Sequence, residues 1–514
     1  MDNTNNNKLI AKNSILLYIR MFIMVIISLY TSRIVLKTLG VEDFGINNVV
    51  GGVITFLGFL TGSLAGASAR FITFALGKGD YKELKNVFSN IILIHGLFSL
   101  IVLIIGETIG LWFVSSQLNI PANREYAAMW VYQLSILTSI GSLISAPYNA
   151  AIIAHEKMSA FAYLTLGDSI LKLLAVFLLI YTPFDKLIFY AAYICLIYIF
   201  DFIIYIIYCN KNFKETKGLS FKNIDKHLFP KIFSYAGWTM NGNLAIFGYT
   251  QGLNILLNIF FNPVVNAARG IAVQVQNIVN NFCTNIQMAI NPQLTKSYAI
   301  GDLQRMHELI IASSKYSFFL MLFICLPLSI EAKTVLRWWL GEFPEHSVSF
   351  LRLIIIVSIL KCVSNPIITS VHATGKIKKF QIFEGISLLM IVPIAYVALK
   401  FFKIPPEGVF VVHIIVEIIT QAIRIKIVLP MIQMDIRIYL KSIIVPILKV
   451  MVISPIIPFI VYNYISASEF IKFLIIGVTC VITVSLCTFL YGCTPNERSI
   501  FTNKIKSKLP KLAY

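Results

Sequence analysis

A stripe of amide side chains is the clearest chemical pattern in this sequence. Four polar residues recur at three- and four-residue steps, so a helix would place them on one face: Gln274, Asn277, Asn281 and Thr284. The apolar stretch before them adds Asn241, Asn243, Gln251, Asn254 and Asn258. An amide that faces lipid lacks hydrogen-bond partners. Hydrogen bonds between packed helices would explain two or three such groups, whereas this many favour a hydrophilic cavity.

Basic side chains also occur inside the long apolar stretches. There are eight: Arg20, Arg70, Lys172, Arg269, Lys315, Arg352, Lys361 and Lys449. Each costs roughly 2.5–3.5 kcal/mol at the bilayer centre, so it should face a cavity, pair with an acid, or reach the interface along its long stem. Arg269 stands beside the amides, and Arg binds phosphate bidentately. Amides together with Arg269 would therefore suit a ligand that carries sugar hydroxyls and phosphate.

Three acidic residues lie deep in apolar stretches, namely Asp168, Asp201 and Glu417. Carboxylates inside a membrane are candidates for proton or sodium relays. Asp168 precedes Lys172 by four residues, so the two share a helix face and could form a structural ion pair or a coupling site. Asp201 has no partner on its own helix, which makes it the more interesting acid. The ion-coupling candidates are Asp168, Lys172, Asp201 and Glu417.

Motifs for catalysis and for cofactor binding are missing from the sequence. The stretch Gly77-Lys78-Gly79-Asp80 lacks the spacing of a phosphate-binding Walker A loop, and H-E-x-x-H and G-x-S-x-G do not occur. The eight cysteines form no C-x-x-C pair, which disfavours disulfides and a structural zinc site. We therefore expect no enzymatic activity, no cofactor and no metal.

The composition shows which elements must position these residues. The chain has 514 residues, of which 57% are hydrophobic and 13% charged, against about 45–50% and about 25% in soluble domains. This excludes a soluble enzyme and predicts an all-α polytopic membrane protein. Apolar stretches of spanning length predict fourteen helices: 12–37, 44–76, 86–115, 125–153, 159–182, 187–209, 232–261, 265–296, 309–336, 347–371, 379–401, 408–429, 442–465 and 470–492.

The distribution of charge predicts the orientation. With these helices, 26 of the 43 Lys and Arg residues fall on one side and 9 on the other, and 8 lie within helices. The positive-inside rule then places both termini in the cytoplasm. The net charge of +19 is explained by this bias, so it does not indicate a nucleic-acid partner.

An internal repeat predicts the domain organisation. A shift of 222 residues places Gly79-Asp80 on Gly301-Asp302 and Thr73 on Thr295. Because the shift spans six helices, the two halves would be parallel repeats. The break with six lysines near the middle reads as a linker. The predicted parts are a six-helix lobe at 1–210, a cytoplasmic linker at 211–231, a second six-helix lobe at 232–430, and helices 13–14 with a basic tail at 431–514.

Several local stretches resemble a known family. These are Leu17-Tyr-Ile-Arg20-Met, Tyr30-Thr-Ser-Arg33-Ile-Val-Leu, Leu39-Gly-Val-Glu-Asp-Phe-Gly45, Asn48-Val-Val-Gly-Gly52 and Ala75-Leu-Gly-Lys-Gly-Asp80. Together they resemble the Wzx-type flippases of O-antigen and other polysaccharides. That family belongs to the MOP superfamily, with the MATE drug exporters and the lipid II flippase. The resemblance covers the whole chain in topology, although its specific motifs lie in the first 90 residues.

The resemblance implies two lobes around a central cavity and an inner-membrane location. It also implies a substrate, undecaprenyl-diphosphate-linked oligosaccharide, that moves from the cytoplasmic to the periplasmic leaflet. Cationic residues of such flippases meet the diphosphate, and Arg20 is the best positional match, followed by Arg269 and then Arg70. Helices 13 and 14 could hold the lipid tail. Membrane lipids, a polysaccharide polymerase and glycosyltransferases are the other implied partners.

Two alternatives remain open at this point. A MATE-type cation-coupled multidrug exporter would share the fold, but cationic drugs prefer acidic or aromatic cavities and the deep charges here are mostly basic. A membrane polymerase or ligase of polysaccharides generally carries a large outer loop with catalytic Arg or His residues. The longest outer stretches here, around 117–124 and 337–346, are about ten residues.

Overall fold

The computed structural model describes residues 3–55, 58–117, 120–217, 225–261, 263–499 and 502, and every regular element within them is a helix. The helices up to residue 299 are α1 Asn3–Thr55, α2 Gly58–Lys78, α3 Tyr81–Ile105, α4 Leu111–Gln117, α5 Glu125–Ala154, α6 Met158–Tyr181, α7 Lys186–Asn212, α8 Leu228–Phe260 and α9 Pro263–Ala299. The remaining helices are α10 Leu303–Ile330, α11 Ala332–Leu340, α12 Ser347–Thr374, α13 Lys378–Leu389, α14 Ile391–Phe402, α15 Gly408–Met431, α16 Ile436–Tyr439, α17 Val445–Ile453, α18 Ile456–Tyr464 and α19 Glu469–Cys487.

Ten helical stretches among the described residues are long and apolar enough to cross a bilayer. A helix satisfies its backbone hydrogen bonds internally, which a lipid environment requires. The prediction of an all-α, multi-pass membrane protein is therefore confirmed. The number of fourteen helices stays a prediction, because α1, α2, α8 and α9 are not among the ten. The predicted segment 309–336 is two helices, since α10 ends at Ile330 and α11 begins at Ala332.

Glycines in the left-handed conformation form three of the turns between the predicted helices. Gly40, with φ of 81°, divides α1 into two helices between the first two predicted segments. Gly79 and Gly301 have φ of 74° and 78°, a region that glycine reaches without a steric penalty. Asp80 then caps α3 by accepting hydrogen bonds from the backbone N–H of Lys82 and Glu83. The glycines of the two Gly-Asp turns of the repeat thus share a left-handed conformation.

The helices form two compact units. Unit 1 comprises residues 1–244 and 288–302, and unit 2 comprises residues 245–287 and 303–514. The division falls within α8 and α9, so each of these helices contributes residues to both units. The predicted lobes at 1–210 and 232–430 stay a prediction. Parts of the predicted linker and tail, residues 218–224 and 503–514, lie outside the described residues, as do the side chains of Asn258 and Asn266.

In unit 1, α5 is the central helix and packs against α2, α3 and α7, while α1 packs against α6. At one end, Arg124 binds the carboxylates of Asp43 and Asp185, each at 2.5 Å. Partial burial acts to raise the pKa of Asp185. The hydrogen bonds from Arg124 and from the backbone N–H of Ile188 and Leu187 outweigh burial and hold that pKa below its usual range. Asp43 belongs to the stretch 39–45 quoted for the resemblance, and here it joins α1 to α5 and α7.

Unit 2 is built on α10, α12 and α15, which pack side by side. Its apolar core includes Phe350, Phe410 and Leu257, all fully buried. The short helix α11 carries two adjacent tryptophans, and the ring of Trp338 lies 5.0 Å from that of Phe473 in α19. Partly exposed tryptophans are typical of a membrane–water interface, so α11 has the character of an interfacial helix.

Candidate functional site

A cavity of about 420 Å³ lies inside unit 1, between α2, α5, α6 and α7. The wall from α2 consists of small residues, among them Gly62, Ala65, Gly66 and Ala69, which a helix places on one face. An added Cβ at Gly62 or Gly66 would have no described atom within 4 Å. Small residues at this spacing usually allow helices to pack closely. The structure shows that this face borders open space.

The opposite walls of the cavity bring together three of the predicted coupling residues. The ammonium of Lys172 lies 2.8 Å from the carboxylate of Asp168, as their spacing on α6 predicted, and 4.7 Å from the ring centre of Tyr198. The carboxyl of Asp201, on α7, is within hydrogen-bonding reach of Asp168. The two carboxyl groups and the ammonium of Lys172 therefore form one charged cluster in the wall of the cavity.

Arg20 lies beside the same cavity. Its guanidinium donates to the hydroxyl of Thr165 at 3.3 Å, and Thr165 lines the cavity. The guanidinium also stacks 4.6 Å above the ring of Phe161, a favourable cation–π contact. The structure thus brings Arg20 close to the residues of α6 that carry the coupling candidates.

Arg70, the third predicted cationic residue, does not line this cavity. Its guanidinium lies 4.4 Å from the ring centre of Phe71, 4.8 Å from that of Phe74 and 5.5 Å from that of Tyr235. Aromatic faces on several sides satisfy a buried cation. These cation–π contacts explain how the charge of Arg70 is accommodated within a helix.

Arg269 is buried in unit 2, where it donates to the Asn254 amide oxygen and to the Thr250 carbonyl oxygen. Arg269 thus contacts Asn254, another of the predicted binding residues. Its Nε has no hydrogen-bond partner among the described residues.

The predicted polar stripe on α9 is exposed throughout. Thr284 is exposed, and so are Gln274, Asn277 and Asn281. Their side-chain amides make no hydrogen bond to another helix within the described part of the chain. By contrast, Gln287 is buried and binds both the carbonyl of Cys362 and the amide of Asn365. Hydrogen bonding between helices therefore explains Gln287 but leaves the predicted binding residues available to a ligand.

The fourth coupling candidate, Glu417, is fully buried in unit 2. It accepts a hydrogen bond of 2.6 Å from Arg424, which also binds Glu384 at 2.8 Å. Arg424 is one of the 26 basic residues that the charge count places on the cytoplasmic side. In the structure it lies within α15, which continues to Met431, and it is buried among these acids. The separation of seven residues between Glu417 and Arg424 corresponds to two helical turns, a signal that could have revealed the pair.

A second ion pair, which the sequence did not reveal, lies at the turn between α5 and α6. Glu156 has a φ of 58° although it is not a glycine. Its buried carboxylate accepts hydrogen bonds from Gln293 at 2.6 Å and from Lys296 at 2.5 Å. Both partners lie on the end of α9 that belongs to unit 1. Glu156 therefore fixes the end of α9 within unit 1.

The sequence matches a family described as "Polysaccharide biosynthesis protein" over residues 10–298, more than half of the chain. A curated relative, the uncharacterized membrane protein EpsK of Bacillus subtilis (strain 168), is 20% identical over 288 residues, or 54% of this chain. The matched region spans about half of that relative, 55% of its length.

Solved structures share the fold. The chain is similar to a crystal structure of MATE in the bent conformation, with a TM-score of 0.71 and 14% identity over 85% of this chain and 97% of that one. It is also similar to a MOP superfamily transporter from Pyrococcus furiosus Vc1 (DSM3638), with a TM-score of 0.69 and 15% identity over 83% of this chain and 96% of that one. At such identities the likeness establishes the fold alone. The chain therefore belongs to the polysaccharide biosynthesis protein family and has the fold of MOP superfamily transporters.

Proposed function

We propose that this protein flips an undecaprenyl-diphosphate-linked oligosaccharide from the cytoplasmic to the periplasmic leaflet of the bacterial inner membrane. Both termini would be cytoplasmic, and the protein would work by alternating access. The observation that carries the proposal is the exposed amide face of α9, because unpaired amides on a membrane helix are unfavourable against lipid. Membership of a polysaccharide biosynthesis family supports a saccharide as the cargo.

The chemistry of the named residues suits this substrate. Gln274, Asn277 and Asn281 can both donate to and accept from sugar hydroxyls. Arg269 is the first candidate for the diphosphate in unit 2, since guanidinium groups bind phosphate strongly. Arg20 is the second candidate for the diphosphate. Arg70 ranks last, because aromatic rings cover its guanidinium.

An ion gradient or the membrane potential would drive the cycle. The carboxyl pair of Asp168 and Asp201 is the best-placed coupling site, since one proton can be gained or released there while Lys172 keeps the local charge balanced. Glu417 is a weaker candidate, because Arg424 already binds its carboxylate.

Complementation tests the proposal. A bacterial strain without its own flippase would receive the wild type, Arg20→Ala, Arg269→Ala, or the control Arg352→Ala. Arg352 is an exposed arginine whose guanidinium binds only the carbonyls of Ser329 and Ile330 in the described structure. We expect surface polysaccharide with the wild type and the control, and a large loss with the other two at equal protein levels. Full polysaccharide with both Arg20→Ala and Arg269→Ala would refute the assigned diphosphate site.

A multidrug exporter is the second candidate, and the carboxyl pair in the unit 1 cavity favours it, because carboxylates attract cationic drugs. Overexpression in a drug-sensitive strain distinguishes the two functions. Resistance to cationic dyes that disappears with Asp201→Asn, combined with normal polysaccharide in a deletion strain, would favour the exporter. Unchanged drug sensitivity with lost polysaccharide would favour the flippase.

A further inference from the structure

The cavity in unit 1 has walls of two kinds. Hydroxyl and amide groups from α5 face it, among them Ser142, Ser145 and Asn149, and the carboxyl groups of Asp168 and Asp201 face it from α6 and α7. Apart from Thr61, the wall from α2 is made of glycine and alanine. Its volume of about 420 Å³ is within the range of about 300–1,000 Å³ that is typical of small-molecule sites. A cavity of this kind can take a compact polar ring.

The glycine wall leaves room that helix packing does not require. No described atom lies within 4 Å of a Cβ built at Gly62 or Gly66, whereas a Cβ at Gly110, elsewhere in unit 1, would lie 2.2 Å from the hydroxyl of Tyr132. Alanine stabilises a helix relative to glycine by about 0.8–1.0 kcal/mol. Glycine at positions 62 and 66 therefore lowers the stability of α2. What it provides in return is open volume in the cavity.

The charges select the class of ligand. Two carboxyl groups line the cavity, the ammonium of Lys172 lines it as well, and the Arg20 guanidinium lies beside it on Thr165, so the nearby charges balance and favour a ligand without net charge. An acyl chain is excluded, because it would leave these charged and amide groups without partners. The amide oxygen of Asn149 is buried without a partner among the described residues. It and the carboxylates are acceptors, and hydroxyl groups are the donors that match them.

We infer that this cavity is a subsite for a neutral, hydroxyl-rich sugar residue of the transported saccharide. The inference rests on the proposed function and deepens it, since it assigns the sugar to the cavity of unit 1, beside Arg20, whereas Arg269 belongs to unit 2. Sugar hydroxyls would donate to Asp168, Asp201 and Asn149, while one face of the ring would lie against Gly62 and Gly66.

Two lipid probes and a matched pair of variants test the subsite. The probes are undecaprenyl diphosphate without sugar and the undecaprenyl-diphosphate-linked oligosaccharide extracted from the producing strain. Binding is measured by native mass spectrometry on the full chain. Gly66→Val fills the cavity, and Gly96→Val is the control, because Gly96 lies on the exposed surface of α3 and also has no described atom within 4 Å of an added Cβ. Asn149→Ala is a second variant that removes an acceptor and adds no volume.

We expect the wild type to bind the glycolipid more tightly than the bare lipid. Gly66→Val and Asn149→Ala should weaken glycolipid binding about tenfold, equivalent to one or two hydrogen bonds, and leave undecaprenyl diphosphate unaffected. Gly96→Val should change neither. An equal loss for both lipids, or no loss for the glycolipid, would overturn the subsite.

If the wild type binds neither lipid, the proposed flippase function fails and the subsite is tested by itself. The probe is then the free oligosaccharide, released from its lipid by mild acid. Binding to the wild type and to Gly96→Val, but not to Gly66→Val, supports a sugar site that serves another purpose. Absence of binding to the wild type refutes the subsite together with the function.

Discussion

Glu156 combines an unfavourable backbone with two charge-assisted hydrogen bonds, and the two effects can be separated by mutation. Its φ of 58° is left-handed, a conformation that costs an L-residue roughly 1–2 kcal/mol. Its carboxylate accepts from Gln293 and Lys296, and hydrogen bonds to charged groups contribute roughly 1.5–3 kcal/mol each. The two hydrogen bonds therefore outweigh the strain, and Glu156 should stabilise unit 1 overall.

Replacing Glu156 by alanine removes both hydrogen bonds and keeps the strain. We expect a loss of about 3 kcal/mol in the free energy of unfolding. This value is the lower end of the summed contributions of the two hydrogen bonds, because the Lys296 side chain is 30% exposed. Glu156→Gly loses the same bonds but relieves the strain, so it should be about 1 kcal/mol more stable than Glu156→Ala. Glu156→Gln should be intermediate, because its amide oxygen can still accept from Gln293.

The assay is thermal unfolding of the purified protein in detergent at one fixed scan rate, followed by tryptophan fluorescence. Gly375 supplies the matched control. It has φ of 76° at the turn between α12 and α13, the counterpart of the Glu156 turn in the repeat. Gly375→Ala should lower the melting temperature. Equal melting temperatures for Glu156→Ala and Glu156→Gly would refute the reasoning about strain, and a Glu156→Ala variant as stable as the wild type would refute the stabilising role of the two hydrogen bonds.

Two further predictions concern buried ion pairs in unit 2. Arg424→Met leaves two buried carboxylates without their cation and should cost about 3–5 kcal/mol in unfolding free energy. Glu417→Gln should cost less, because the amide oxygen of the new side chain can still accept a hydrogen bond from Arg424. Equal melting temperatures for the two variants would contradict this. Lys315 is 1% exposed and pairs with Glu497 at 3.0 Å. Burial acts to raise the pKa of Glu497, but hydrogen bonds from the backbone N–H of Thr494 and from Lys315 hold it below its usual range. Its contribution to stability is therefore complete above the unfolded pKa of about 4.3 and is lost as the pH falls through the lower folded value. Glu497→Gln should flatten the acid side of a plot of melting temperature against pH, and a plot that keeps the shape of the wild-type plot would contradict the pairing.

Local sequence was sufficient for the fold class and for contacts within one helix. Long apolar stretches must be helical in lipid, so the all-α membrane architecture followed from composition and spacing. The Asp168–Lys172 pair also followed, since a separation of four residues fixes the relative position of two side chains on a helix. Gly79 and Gly301 were identifiable as turn residues because a left-handed backbone favours glycine over other residues.

Contacts between helices were beyond the reach of local sequence. Asp201 has no acid or base suitably spaced on α7, and its neighbour Asp168 comes from α6. The Arg424 site depends in the same way on how α15 packs against α13, because Glu384, which accepts a hydrogen bond from Arg424, lies on α13. Glu156 was hidden for a different reason. Its left-handed backbone is stabilised by residues of α9, about 140 positions along the chain.

The glycine-rich face of α2 shows that one sequence pattern can report two opposite physical situations. Small residues at helical spacing usually let neighbouring helices approach closely, and glycine is required in that way at Gly110, where a Cβ would collide with Tyr132. At Gly62 and Gly66 the space beside the backbone is open, so the missing side chain adds to the cavity. The deciding factor is which residue stands opposite the glycine. Because tertiary packing sets that partner, the spacing of glycines along α2 cannot distinguish a packing face from a ligand wall.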